Sequence, residues 1–456
     1  MDRLLPLELH HHIFALVDDL DIPDLRETCR TFANVGLDYL LPQLEITFTR
    51  KSFDNLAQVG KHPTFGPRVK SLVYHIDALE PYRNKDEWLQ AISDSLYLRD
   101  SWKSRMPAQN APEREWRLYH RNHTKACSPE WRYTQKQLVT GYAAYKRLWA
   151  EQQDLRQKDF GIVDIKTMLA QLPNLKRITL SSYQEAFTGT HIFDETYKPT
   201  LVEAFGDAHY HNHCGVPQLL TLVHGLRSTT AKTTLESLDI GLISWKLLQE
   251  SDENFELMRE IVRPLKVLRT AFVTSQLYDW EGPDGGENEP VLEGDTECQA
   301  LLDEGRHLAL LQSMPNLRVL ALAFHSKELS HFDLVSTFRD SYWPHLREVR
   351  LHSYHSTDED LLVFLKRHVQ TLKVFDVADY RLLRGLWIDV FRDLRTTLHL
   401  EQFRCGRWLS NHTSPNDCWD FCGDPDGPIS LRDLVEKFVL GDEDTTAEGV
   451  LKMKNA

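Results

Sequence analysis

The chain reads as an α/β protein, an irregular solenoid with one strand and one helix per repeat. A small all-α segment precedes the repeats and a helical insertion interrupts them. Three observations predict this. A phrase of leucine, two residues, an apolar residue, one residue and another apolar residue recurs past residue 160. Helix-period stretches lie between its copies. The first 32 residues carry two apolar stripes at helical spacing, too few to enclose a core alone.

At the N-terminus, Pro6 suits a first helical turn, where its fixed φ helps and its missing N–H costs nothing. Leu9, Ile13, Leu16 (with Val17) and Leu20 then recur every three or four residues, which puts them on one helix face. Asp21 and Pro23-Asp24 open a second helix, from which Leu25, Cys29 and Phe32 form another stripe. The run His10-His11-His12 is expected at a solvated edge, since adjacent residues do not share a face.

Residues 77–160 break the repeat and hold Trp88, Trp102, Trp116, Trp131 and Trp149. Within them, residues 83–158 carry fifteen Lys/Arg against nine Asp/Glu, a local charge of +6 in a chain of −14. Gln135 to Lys158 is predicted to be one long helix from Leu138, Tyr142, Tyr145, Leu148-Trp149 and Leu155. The tryptophans can form a docking surface, but an aromatic core that holds the insertion in place is the simpler reading.

The recurring phrase appears as Leu175…Ile178-Thr-Leu180, Leu235…Leu238-Asp-Ile240, Leu317…Leu320-Ala-Leu322, Leu346…Val349-Arg-Leu351, Leu372…Phe375-Asp-Val377 and Leu400…Phe403-Arg-Cys405. Leu265…Leu268 and Val69…Leu72-Val-Tyr74 are weaker copies. The last four start at 317, 346, 372 and 400, a period that resembles the leucine-rich repeat. That repeat places Asn or Cys three residues past the last strand apolar, to satisfy backbone groups at the turn. Here those positions are Tyr183, Ile243, His325, Tyr354, Tyr380 and Trp408, so an irregular, gently curved solenoid is expected. Residues 299–313, 331–342 and 386–396 read as helices, and Ser356-Thr357-Asp358-Glu359 as a capping box opening another. Strand alternation sets Arg177, Thr179, Asp239, Arg269, Arg350, His352, Asp376 and Arg404 outward on the concave face. Tyr354, Tyr380 and Trp408 are expected to rim this candidate surface for a protein substrate.

Leu5-Pro6, Glu8, Ile13 and Leu25…Cys29-Arg30…Phe32 together resemble the F-box, in the form found in filamentous fungi with the extension Ala33 to Pro42. The resemblance implies a substrate receptor of an SCF-type ubiquitin ligase. Its N-terminal helices would dock to a Skp-type adaptor and, through it, to cullin and a RING subunit. The adaptor contacts it implies are Leu5, Pro6, Leu9, Ile13, Leu25, Cys29 and Phe32. The expected organisation is an F-box-like segment at 1–48, a connector with the first repeat strand at 49–76, and the insertion at 77–160. The repeats then occupy 161–441 and an acidic, flexible tail 442–456. The alternative is an interaction scaffold whose N-terminal helices only cap the repeats.

Little else in the chain points to chemistry. There is no phosphate-binding glycine loop, nucleophile elbow or His-Glu-x-x-His motif, so no enzyme activity and no cofactor are expected. Cys405, His412, Cys418 and Cys422 lack a zinc-knuckle spacing, and His211, His213 and Cys214 share one loop-like stretch, so no metal site is assigned. Residues 279–297, with eight acidic side chains and no basic one, read as a solvated loop. The acidic balance outside the insertion argues against nucleic acid as a partner. No uncharged run is long enough for a membrane helix, and seven scattered cysteines suit a reducing cytoplasmic or nuclear setting.

Overall fold

The computed structural model describes residues 5–18, 21–41, 43–99, 114, 115, 117, 128–157, 162–181, 197–202, 215–227, 235–274, 293–325, 331–412, 418–421, 430–442 and 445–454. Among them the protein is α/β, built on one twelve-stranded sheet. The strands are β1 (Gln43–Thr47), β2 (Ser71–His75), β3 (Arg177–Ser181), β4 (Ser237–Ser244), β5 (Val267–Val273) and β6 (Val319–His325). They continue with β7 (Phe332–Asp333), β8 (Glu348–His352), β9 (Tyr354–Thr357), β10 (Val374–Arg384), β11 (Gln402–Asn411) and β12 (Trp419–Asp420). Each long strand lies beside the next in chain order and parallel to it, β7 and β9 extend the sheet beside β10, and β12 closes it antiparallel to β11.

The repeated phrase dictates this register. Its second apolar residue stacks as Leu72, Ile178, Leu238, Leu268, Leu320, Val349, Phe375 and Phe403, each directly paired with the next. All are buried in the main core. The first strand was not expected. β1 falls inside the segment read as helical, yet Leu41-Pro42-Gln43-Leu44-Glu45-Ile46 is itself a copy of the phrase, and Leu44 pairs with Leu72.

Helices cover one face. The N-terminal group is α1 (Leu7–Leu16), α2 (Ile22–Glu27), α3 (Arg30–Val35) and α4 (Leu37–Leu40), followed by α5 (Arg50–Lys61). The insertion supplies α6 (Lys85–Arg99), α7 (Pro129–Arg132) and α8 (Gln135–Gln157). After them come α9 (Ile162–Leu169), α10 (Val216–Arg227), α11 (Asp252–Val262), α12 (Glu293–Glu304), α13 (Arg306–Gln312), α14 (Leu334–Phe338), α15 (Asp358–Lys366), α16 (Trp387–Thr397), α17 (Leu431–Val439) and α18 (Ala447–Lys454). From α5 a chain of helices packs side by side through α9, α10, α11, α13, α14, α15, α16, α17 and α18. Local chemistry starts several of them. Thr49, Ser251 and Ser430 accept the N–H three residues on at the heads of α5, α11 and α17.

Several expectations need correction. The cap of α15 is Thr357, whose hydroxyl accepts the Asp360 N–H at 3.0 Å, while Ser356 turns inward onto the Tyr380 hydroxyl at 2.7 Å. The helix expected over 299–313 starts earlier and breaks at Gly305, whose φ of +84° suits a residue without a Cβ. The acidic stretch 279–297 is not one loop, because Glu293–Glu297 begin α12; its earlier residues lie outside the described ones. The tail expected to be flexible carries α18, with Val450 fully buried and the Lys454 ammonium 4.7 Å from the centre of the Trp419 ring.

The insertion has a core of its own around Leu79, Trp88, Ile92, Leu138, Tyr145, Tyr197 and Val202. Trp88 is fully buried and its indole N–H donates to the Thr200 carbonyl at 3.2 Å, whereas Trp131 is largely exposed. Trp102 and Trp116 lie outside the described residues.

Candidate interaction surfaces

Two surfaces carry the residues singled out above. The first is the N-terminal helical group. Its small core is Phe14, Ile22 and Val35, against which Val17, Leu25, Phe32, Tyr39 and Leu40 pack. Phe14 stacks on Tyr39 with ring centres 5.5 Å apart and meets Phe32 edge-on at 5.5 Å. His10 joins them, buried, with its ring 5.3 Å from Phe32; it is not at the solvated edge expected for it. The group closes tightly at Gly36, where a Cβ would stand 2.2 Å from Arg26 Cγ.

Because His10 and Phe14 take the inner side of α1, the stripe read from the sequence faces out. Leu5, Leu7, Leu9 and Leu16 are exposed by 46%, 56%, 46% and 85%, and Ile13 is half-buried among them. Leu9, Ile13 and Leu16 share a face at helical spacing, just past Leu5 and Pro6. Clustered leucines in water are a cost that a partner would remove. The seven residues implied by the resemblance therefore divide. Leu5, Pro6, Leu9 and Ile13 border the exposed stripe. Leu25 and Phe32 pack on the small core, and Cys29 heads α3 by accepting the Phe32 N–H at its Sγ, 3.4 Å away. Leu20 lies outside the described residues.

The second surface is the sheet face away from the helices. Thr179, Asp239, Arg269, Ala321, Arg350, Asp376 and Arg404 form one row across seven adjacent strands. Much of the charge on this face is internally matched. Asp239 is buried and 3.3 Å from Arg269, and burial raises its carboxyl pKa despite the arginine. Arg350 holds Glu348 at 2.7 Å, and His352 Nε2 lies 3.6 Å from Asp376 Oδ1. Arg177 and Arg404 are exposed, the latter 3.5 Å from the Gln402 side-chain oxygen. The sequence reading missed an apolar patch on the same face, Leu242, Ala271, Val273 and Ala323, all buried.

Tyr354 and Tyr380 do not rim this surface. Both are fully buried, because the backbone turns over just before them. Ser353, Asp379 and Arg407 sit at equivalent places in three consecutive repeats with φ of +64°, +48° and +55°. Each left-handed residue bulges its strand, so the following side chains change face. In β10 and β11 the pairing jumps from Ala378–Gly406 to Tyr380–Leu409, which leaves Trp408 on the bulge, 45% exposed. Arg407 reaches back to Asp379 at 3.1 Å. Burial pushes the Tyr354 and Tyr380 hydroxyls far above the usual phenol range, so both stay neutral.

Among the described residues, no group of three or more His, Cys, Asp or Glu side chains is placed to hold a metal ion. Cys405 is buried in β11, where burial raises its thiol pKa. No described helix is long and apolar enough to cross a membrane. No protein-family model matches the chain, and neither does any curated protein.

Proposed function

We propose that the chain is a substrate receptor of an SCF-type ubiquitin ligase. Its N-terminal helices dock to a Skp-type adaptor, and the sheet face away from the helices receives a target protein. One observation carries this reading: Leu9 and Leu16, with Leu5 just ahead of the helix, stand in solvent on the outer side of α1, whose other side already has a core. A helix that only capped the repeats would turn that stripe toward the main core. Instead the small N-terminal core is separate from the core of the sheet. An ion pair between Asp38 and Arg68, at 2.7 Å, links the two parts. The protein's contribution to ubiquitin transfer is proximity, which raises the effective concentration of a target lysine near the loaded conjugating enzyme.

Co-purification with adaptor and cullin tests the reading. Burying one leucine is worth roughly 1.5–3 kcal/mol. Leu5→Ala with Leu9→Ala is therefore expected to weaken adaptor binding about a hundredfold or more and to leave the melting temperature unchanged. Phe14→Ala, which opens the small core, is expected to lower stability as well. Undiminished adaptor binding by the leucine double variant rejects the docking role.

A further inference from the structure

Just before each strand, at the first variable position of the repeated phrase, one residue stacks on its counterpart in the next repeat through main-chain bonds. The Glu236 N–H donates to the Lys176 carbonyl at 2.7 Å, Lys266 to Glu236 at 2.8 Å and Arg318 to Lys266 at 2.7 Å. Arg347 donates to Arg318 at 2.8 Å and Lys373 to Arg347 at 2.7 Å. The result is a column along one edge of the sheet, with neighbours about 4.8 Å apart. The same bonds extend the column to Lys70, whose carbonyl accepts the Lys176 N–H at 2.9 Å, and to Glu401, whose N–H donates to the Lys373 carbonyl at 2.8 Å. Six of its eight residues are basic, in a chain whose net charge is −14.

One part of the column shows how it holds a carboxylate. Glu236 lies between two cations, with Lys176 Nζ 2.9 Å and Lys266 Nζ 2.8 Å from its two oxygens. Those two contacts pull its pKa down to about 2. Farther along, no acid of the column stands between Arg318, Arg347 and Lys373, and the next one is Glu401, beyond Lys373. Arg318 and Arg347 are exposed, with no carboxylate partner among the described residues, and Lys373 Nζ meets only the His399 carbonyl, at 3.3 Å. Like charges on adjacent strands repel, and no described carboxylate is paired with Arg318 or Arg347 to offset that repulsion.

We propose that Arg318, Arg347 and Lys373 form a docking edge for an acidic, extended segment of a partner protein, whose carboxylates sit between neighbouring cations as Glu236 sits between Lys176 and Lys266. Same-side carboxylates of an extended peptide are about 6.8 Å apart, within reach of long arginine and lysine side chains on successive strands. A long nucleic acid is disfavoured, because it would bring its phosphates against a molecule of net charge −14. The surface is distinct from the leucine stripe of α1 and does not depend on its role.

Fluorescence anisotropy of the full chain with a labelled deca-glutamate peptide tests the edge, beside a deca-glutamine peptide and a single-stranded oligonucleotide. The expected result is binding of the glutamate peptide that weakens with added salt, and little binding of the glutamine peptide. R318E/R347E should lower affinity on the order of tenfold or more, R318Q/R347Q less, and K61E on helix α5 not at all. Both double variants change exposed side chains, and an unaltered melting curve checks their folding. No glutamate-peptide binding at low salt overturns the proposal, and so does equal binding by both double variants and the wild type. Tighter binding of the oligonucleotide overturns the assignment of a protein partner.

Discussion

The imidazole of His368 takes its Nε2 lone pair to the main-chain N–H of Trp343, 3.2 Å away, and lies nearly parallel to the indole, with ring centres 5.9 Å apart. Its other nitrogen, Nδ1, is 3.1 Å from the Phe364 carbonyl. The neutral ring with its proton on Nδ1 satisfies both bonds; a second proton on Nε2 would destroy the first. The pair thus fixes the turn that follows α14 against the end of α15.

Burial holds the His368 pKa down at about 4, and His307 and His325 are lowered to about 4 by burial as well. A depressed histidine pKa means that the unfolded chain takes up protons first. The stability these residues contribute is complete above the ordinary histidine pKa of about 6.5 and is lost as pH falls toward 4, by about 1.4 kcal/mol per pH unit for each extra proton. Melting temperature should therefore drop steeply between pH 6.5 and 4. His368→Phe removes one of these protons and leaves the Trp343 N–H without an acceptor. It is expected to cost about 1–3 kcal/mol at pH 7 and to make the acid slope shallower. An unchanged slope in that variant would show that His368 does not titrate in this way.

How much of this was legible in the sequence depends on which force set each element. The phrase beginning at Leu175 marks β3, and that beginning at Leu372 marks β10, because a two-residue alternation on a buried sheet leaves few other choices. The side taken by α1 was not legible. Leu9, Ile13 and Leu16 on one side compete with Phe14 and Val17 on the other, and the balance is tipped by Phe32 and Tyr39, supplied by α3 and α4. The inward turn of Tyr354 and Tyr380 was also hidden. It depends on left-handed backbone at Ser353 and Asp379, and the only local hint is that short polar side chains, above all Asp, tolerate that region better than most. At the candidate surface, Arg177 could be placed from alternation alone. The partner that neutralises Arg269 comes from Asp239 on the neighbouring strand, a pairing that only the register reveals.

A second relationship ties the insertion to the sheet. Gln152, in the last third of α8, is fully buried; its Oε1 accepts the Leu79 N–H at 2.9 Å. Its Nε2 donates to the Phe48 carbonyl at 3.1 Å and to the Tyr197 hydroxyl at 3.2 Å. One amide thereby joins the chain leaving β1, the chain leaving β2 and the 197–202 segment. Gln152→Leu keeps the volume close but removes all three bonds, and it leaves the Leu79 N–H buried without its acceptor. A loss of about 2–4 kcal/mol is expected, since each unmet buried group costs about 1–3 kcal/mol. The loss should be local, so limited proteolysis should cut within 135–157 faster than in the wild type. Equal protection of α8 in the variant would show that its aromatic core, rather than this amide, holds the insertion.

The bulge at Ser353 offers the most direct test of why Tyr354 faces inward. Ser353 donates its N–H to the Ala378 carbonyl at 3.1 Å and its carbonyl accepts the Phe332 N–H at 2.9 Å, so its left-handed backbone is bonded to strands on both sides. The following side chain, Tyr354, then enters a cluster in which its ring lies 5.4 Å from that of Phe324 and 6.0 Å from that of Phe338. Left-handed backbone costs a residue with a Cβ about 1–2 kcal/mol, and β-branching makes it worse. Ser353 already bears that cost, so Ser353→Val is expected to destabilise the protein by the further crowding of its β-branch. Ser353→Gly should be neutral or stabilising by up to about 1 kcal/mol, because relief of the backbone is partly offset by the greater freedom of glycine in the unfolded chain. Denaturant midpoints for the two variants decide the matter. If valine and glycine shift the midpoint equally, the left-handed turn is not what directs Tyr354 into the core.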